Sequence, residues 1–116
     1  MADDVTSFLP LSPATLHILL ALVEGDLHGY GIMREVARQS LGHYKIGPGT
    51  LYDNLQKLLD AGLVTETGGE GEGDSRRRFY RLTALGRKVL SSDLERLETA
   101  VKEAKAKLRS PKPRRA

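Results

Sequence analysis

Cysteine is absent from the 116-residue chain. That excludes a disulfide framework, a thiol nucleophile and a cysteine-ligated zinc site, and it fits a reducing compartment. Long apolar runs are missing too. The longest, Ile18 to Val23, is far too short to cross a bilayer. Asp3 and Asp4 stand where a secretory leader would be basic, so a cytoplasmic protein is expected. His17, His28 and His43 are scattered and form no pair at metal-ligand spacing. Neither a nucleophile–base signature nor a P-loop occurs. No catalytic residue, metal or cofactor is expected, and the chain does not read as an enzyme.

What is present suits a single small domain. Hydrophobic residues make up 40% of the chain and charged residues 28%, an ordinary balance for a globular protein with one modest core. At this size, association with a second copy is a common way to bury more apolar surface. The formal net charge is +3, but it is unevenly spread. From Lys102 onward seven basic side chains face only Glu103, a surplus of six, so the residues before Lys102 sum to −3. Basicity is therefore a property of the tail, and any nucleic-acid reading must rest on local clusters.

Periodicity orders the chain. Residues 1–11 read as an arm or a short lead-in helix. Ser12 and Pro13 are a helix start, with Ser as N-cap and Pro in the first turn. Leu16, Leu19, Leu20 and Val23 follow at helical spacing, and Gly25 reads as the stop. A second helix is predicted from Gly29 or Tyr30 to about Leu41–Gly42, with Tyr30, Met33, Val36 and Ala37 as its apolar stripe. Gly47-Pro48-Gly49-Thr50 opens a third, whose apolar face is Leu51, Leu55, Leu58 and Leu59, and Gly62 ends it. Leu63 to Glu66 reads as a strand, residues 68–74 as a glycine-rich loop tip, and Arg77 to Leu82 as the returning strand. Thr83 is the N-cap of a last helix running from about Ala84 to Leu108, and Pro111 and Pro113 block its continuation.

Three helices and a two-stranded hairpin, in that order, make a winged helix-turn-helix: mainly α with a small β-hairpin, followed by a long C-terminal helix. The third helix is then the recognition helix, because a helix fits the B-DNA major groove and its N-terminal residues reach base edges. Gly49, Thr50, Tyr52, Asn54, Gln56 and Lys57 lie off its apolar stripe and are the candidate DNA contacts, with Lys57 suited to a phosphate. Arg76, Arg77 and Arg78, with Arg81 behind them, suit a wing that follows the backbone or enters the minor groove. Glu70, Glu72 and Asp74 at the tip would be repelled by phosphate, so the contact is expected at the base of the wing.

Four motifs also resemble a known family. Leu27-His28-Gly29-Tyr30-Gly31-Ile32, Gly47-Pro48-Gly49-Thr50-Leu51-Tyr52, Leu58-Leu59-Asp60-Ala61-Gly62-Leu63-Val64 and Arg76-Arg77-Arg78-Phe79-Tyr80-Arg81-Leu82-Thr83 look like the PadR family of bacterial transcriptional regulators. The resemblance runs from about Leu11 to Leu97. It implies a winged-helix fold, homodimerisation, operator binding and, in many members, release by a small-molecule effector. Asp53 stands where many relatives have Pro, and Gly47 where Ser or Pro is frequent. Both sit in the expected recognition helix, so no operator sequence carries over. An aromatic-lined drug pocket at the dimer centre, as some relatives have, has little to be built from here. There is no tryptophan, and aromatic residues make up 5% of the chain.

In the last helix Leu90, Leu94, Leu97, Val101, Ala104 and Leu108 alternate spacings of four and three, the a/d stripe of a heptad. Its distal half would project beyond so small a domain, so the stripe is assigned to a two-fold dimer. The resulting division is a winged-helix DNA-binding domain at 1–83, a dimerisation helix at 84–108 and a basic, disordered tail at 109–116. Two other readings compete with a homodimeric repressor on double-stranded DNA. One is a winged-helix module that binds another protein. The other is a sequence-indifferent nucleoid or RNA binder driven by the tail.

Overall fold

The computed structural model describes residues 5–68 and 78–110. The expected loop-tip acids, Arg76, Arg77 and the tail from residue 111 lie outside them. A short 3-10 turn, Val5–Phe8, leads into α1 (Pro13–Ala21), β1 (Leu27–His28), α2 (Gly29–Gln39), α3 (Pro48–Ala61), β2 (Val64–Thr67), β3 (Phe79–Leu82) and α4 (Ala84–Arg109). The architecture is mostly helical, with one small antiparallel sheet.

Local chemistry sets the helix ends. Ser12 caps α1 by accepting the Thr15 N–H at 3.2 Å, and Thr83 caps α4 by accepting the Gly86 N–H at 3.0 Å. Gly62 closes α3 in the left-handed conformation (φ 80°), where a Cβ would be strained. Gly25 does not end α1, as the sequence suggested. The helix stops at Ala21 with Leu22 as its cap, because the Leu22 and Val23 amides fold back onto the Leu19 and Leu20 carbonyls.

The sheet has three strands rather than two. β3 is central, flanked by β2 in the register Val64↔Leu82 and by β1 in the register Leu27↔Tyr80. A two-residue strand carries too little alternation to be seen in sequence. It exists because the chain entering α2 runs beside the open edge of β3 and pairs its backbone there.

The core joins Ile18 and Leu19 from α1 and its cap Leu22, Ile32 and Val36 from α2, and Leu51, Leu55 and Leu58 from α3. Leu63, Val64, Tyr80, Leu82, Val89 and Leu90 complete it. On α2 the buried positions are Gly29, Ile32 and Val36, so the stripe is turned from the one expected. Tyr30 is exposed, with the Arg34 guanidinium 5.8 Å from its ring centroid. The first turns of α4 belong to this core: Gly86, Val89, Leu90 and Asp93 are buried. The division drawn between Thr83 and Ala84 therefore cuts through one packed unit. Leu90, expected in the dimer stripe, is 4% exposed and is already covered by its own chain.

Candidate nucleic-acid interface

Polar and ring contacts brace the turn that leads into α3, and one of them reaches α3 itself. Ser40 Oγ accepts the Tyr44 N–H at 3.0 Å and donates to the Val36 carbonyl at 2.9 Å, bracing the turn between α2 and α3. The His17 ring stacks on Tyr44 with centroids 4.8 Å apart, and Gln39 Nε2 donates to the His17 carbonyl at 2.9 Å. Thr15 Oγ1 donates to Asn54 Oδ1 at 3.3 Å, linking α1 to α3. His17 is thus a structural residue.

Beyond this frame α3 presents an exposed start. Gly47, Pro48, Gly49 and Thr50 are all exposed, and no side chain caps the helix among the described residues. In this exposed turn the helix itself leaves the Gly49 and Thr50 N–H groups unpaired, a ready position for an anion. Tyr52, Gln56 and Lys57 are exposed as well. Gln56 Nε2 donates to Asp60 Oδ1 at 3.0 Å, and Lys57 Nζ lies 3.8 Å from Asp53 Oδ2. Both are surface contacts with little hold on their side chains. Asn54 departs from the expected set. It is half-buried, with its oxygen engaged by Thr15 and its Nδ2 donating to the Thr50 carbonyl at 2.8 Å. An α1 hydroxyl facing that flank of α3 cannot be read from helical spacing.

The wing contributes Arg78 at its base. Its Nε lies 3.3 Å from Glu66 Oε2 across the hairpin, and its side chain is exposed. Arg76 and Arg77 precede it outside the described residues. Arg81, grouped with them in sequence, is committed elsewhere. It makes a two-pronged pair with Asp26 at 3.0 and 2.8 Å, fastening β3 to the segment before β1. Hydrogen bonding to Arg81 holds the Asp26 carboxyl below the usual carboxylate range.

Between α3, the start of α2 and the wing lies a groove of about 380 Å³ lined by His28, Gly29, Tyr30, Tyr52, Arg78 and Tyr80. His28 caps α2 by accepting the Gly31 N–H on Nδ1 at 3.0 Å, and its ring meets Phe79 edge-on at 5.3 Å. Burial pushes the Tyr80 phenol above its ordinary value, and the neighbouring Glu66 carboxylate adds to that. In sequence, Leu27-His28-Gly29-Tyr30-Gly31-Ile32 carried the family resemblance and a helix start but no place in the interface, so this wall of the groove was missed.

A solvent-facing third helix beside a basic-based hairpin defines a winged helix-turn-helix protein. The Transcriptional regulator PadR-like family model matches residues 18–92. The chain belongs to this family, whose members are transcriptional regulators and not enzymes. It is 35% identical over 88 residues to "Transcriptional regulator Rv3488" of Mycobacterium tuberculosis, covering 76% of this chain and 78% of that protein. Among solved structures, a transcriptional regulator from Clostridium thermocellum is 28% identical with a TM-score of 0.69, covering 90% of this chain and 97% of that one. Bacillus subtilis PadR in complex with operator DNA is also 28% identical, with a TM-score of 0.65. It covers 73% of this chain, which spans 47% of that one.

The predicted stripe on α4 divides in two. Leu90 is in the core and Leu97 is half-buried, while Leu94, Val101, Ala104 and Leu108 are exposed. From Glu98 to Ser110 every residue is exposed. Among the described residues no helix is long and apolar enough to cross a membrane.

Proposed function

We propose that two copies of this chain form a cytoplasmic transcriptional repressor that binds a palindromic operator. One α3 enters the major groove of each half-site, and each wing lies on the adjacent backbone. The observation that carries this reading is the outward face of α3. Gly49, Thr50, Tyr52, Gln56 and Lys57 are exposed on one helix, with Arg78 of the wing beside them. The Thr50 hydroxyl and the Gln56 amide suit base edges, and cations suit phosphates. Membership of a family of regulators and the likeness to a PadR bound to operator DNA support it.

In this reading α4 is the dimerisation helix. Leu94, Leu97, Val101, Ala104 and Leu108 meet their counterparts across the two-fold axis, and Leu90 takes no part. An unpartnered apolar stripe on a helix projecting into water favours such pairing, since each buried leucine is worth about 1.5–3 kcal/mol in transfer terms. The pair sets the separation of the two α3 helices, which must be about 34 Å for half-sites one turn apart. An effector that changed the angle between the α4 helices would release the DNA.

Selection of bound fragments from genomic DNA, followed by sequencing, tests the reading. It predicts a shared inverted repeat with half-site centres one helical turn apart. Recovery of fragments without a common sequence would refute it.

A further inference from the structure

The groove between α3 and the wing is better explained by the DNA backbone than by a base. Tyr52 has the spacing of a reading residue, but its side chain is laid back over the start of α2. A Cβ added to Gly29 would overlap Tyr52 Oη and come within 2.8 Å of its Cζ. The hydroxyl therefore sits on the wall of the groove, not at the tip of the recognition helix. Three of the chain's four tyrosines line this one groove, together with Arg78. The end of α2 adds less, because the Gly31 N–H is already taken by His28.

Position identifies the occupant. With α3 in the major groove and the wing over the neighbouring minor groove, the sugar–phosphate strand dividing the two grooves must pass between them. We infer that this groove seats one backbone phosphate, with Tyr52 and Arg78 as its ligands and Glu66 as the resident anion it displaces. The inference rests on the DNA-binding reading above and assigns Tyr52 to the backbone rather than to a base. The exchange is chemically balanced. Arg78 gives up a surface contact with Glu66 at 3.3 Å, both side chains being substantially exposed. Such pairs are weak in water. A phosphate offers a guanidinium stronger, charge-assisted bonds in a fork geometry. Glu66 then remains nearby as a like charge, which lowers affinity for any DNA regardless of sequence.

Two variants and one parent test this by fluorescence anisotropy on operator and random duplexes, at several salt concentrations and with folding checked by thermal melting. Tyr52→Phe is expected to weaken both duplexes by the same factor, about fivefold for one hydrogen bond, with an unchanged salt slope because no charge is removed. Glu66→Gln is expected to tighten both by about threefold, the scale of one surface charge contact. A Tyr52→Phe loss confined to the operator overturns the assignment of Tyr52 to phosphate. Unchanged or weaker binding by Glu66→Gln overturns the competition with Glu66. A wild-type chain that binds neither duplex overturns the DNA-binding reading itself, and this inference with it.

Discussion

Gly86→Ala isolates the joint that aims α4. Gly86 lies in the first turn of that helix, buried, with its N–H on Thr83 Oγ1. A Cβ there would overlap the Leu63 carbonyl oxygen, with Leu82 Cδ1 at 2.8 Å and the Leu63 carbonyl carbon at 3.0 Å. Leu63 O also accepts the Thr83 N–H at 3.1 Å, so pushing it aside strains the bond that joins β2 to the α4 start. Two effects oppose each other. Alanine favours a helix over glycine by at most about 1 kcal/mol, and less so in the first turn. Overpacking against rigid backbone costs about 1–3 kcal/mol, and a weakened hydrogen bond about 0.5–1.5 kcal/mol more. The overlap wins, for a net loss of about 1–3 kcal/mol, or a fall in Tm of roughly 5–15 °C for a domain of this size. The assay is thermal unfolding at fixed protomer concentration, since association would make Tm concentration-dependent. Gly49→Ala is the control: nothing lies within 4 Å of its added methyl, and its Tm should not fall. Because α4 spans 26 residues, about 39 Å, a displaced base also swings its far end, and operator affinity should drop further than stability alone explains. A Gly86→Ala protein that melts with the wild type would refute the packing argument.

Other outcomes follow from single sites. Val101 is 49% exposed in the chain, so Val101→Glu leaves the protomer's fold intact but places charges in the α4 seam. Sedimentation should show monomers and weaker operator binding, whereas an intact dimer would remove α4 from the interface. Leu41 holds a left-handed backbone (φ 55°) while 85% exposed. Leu41→Gly relieves that conformation and loses little packing, so urea unfolding should show a gain of up to about 1 kcal/mol, set against the entropy glycine adds to the unfolded chain. Asp26 is held below its unfolded carboxyl value of about 3.9 by Arg81. Its contribution is complete above that pH and is lost as pH falls through the lower folded value. The stability difference between wild type and Asp26→Asn should stay constant from neutral pH to about 4 and shrink below it. A difference that grew on acidification would contradict the assigned pair.

Much of the frame was legible because its determinants are local. Ser12, Thr83 and Gly62 act within a turn of their own positions, and Leu51, Leu55 and Leu58 mark their helix by spacing alone. The site was less legible because its geometry comes from contacts distant in sequence. Thr15 lies 39 residues from Asn54 and turns that amide inward. Asp26 lies 55 residues from Arg81 and removes it from the wing's basic cluster. Glu66 reaches Arg78 only once the hairpin has closed. Tyr52 had a position on a helical wheel, but the wheel does not say that Gly29 leaves room for its ring to lie back.

The sequence by itself determined the order and kind of the main elements, the family and the heptad on the last helix. Periodicity, capping residues and motif spacing are properties of the chain read along its length. Only the tertiary structure decided which polar groups stay exposed. It paired a two-residue strand to the edge of β3, drew Leu90 into the core while leaving Val101 outside, and brought Tyr52, Tyr80 and Arg78 around one groove. Each of those outcomes depends on which surface arrives opposite a residue, and burial and electrostatic pairing act through space rather than along the chain.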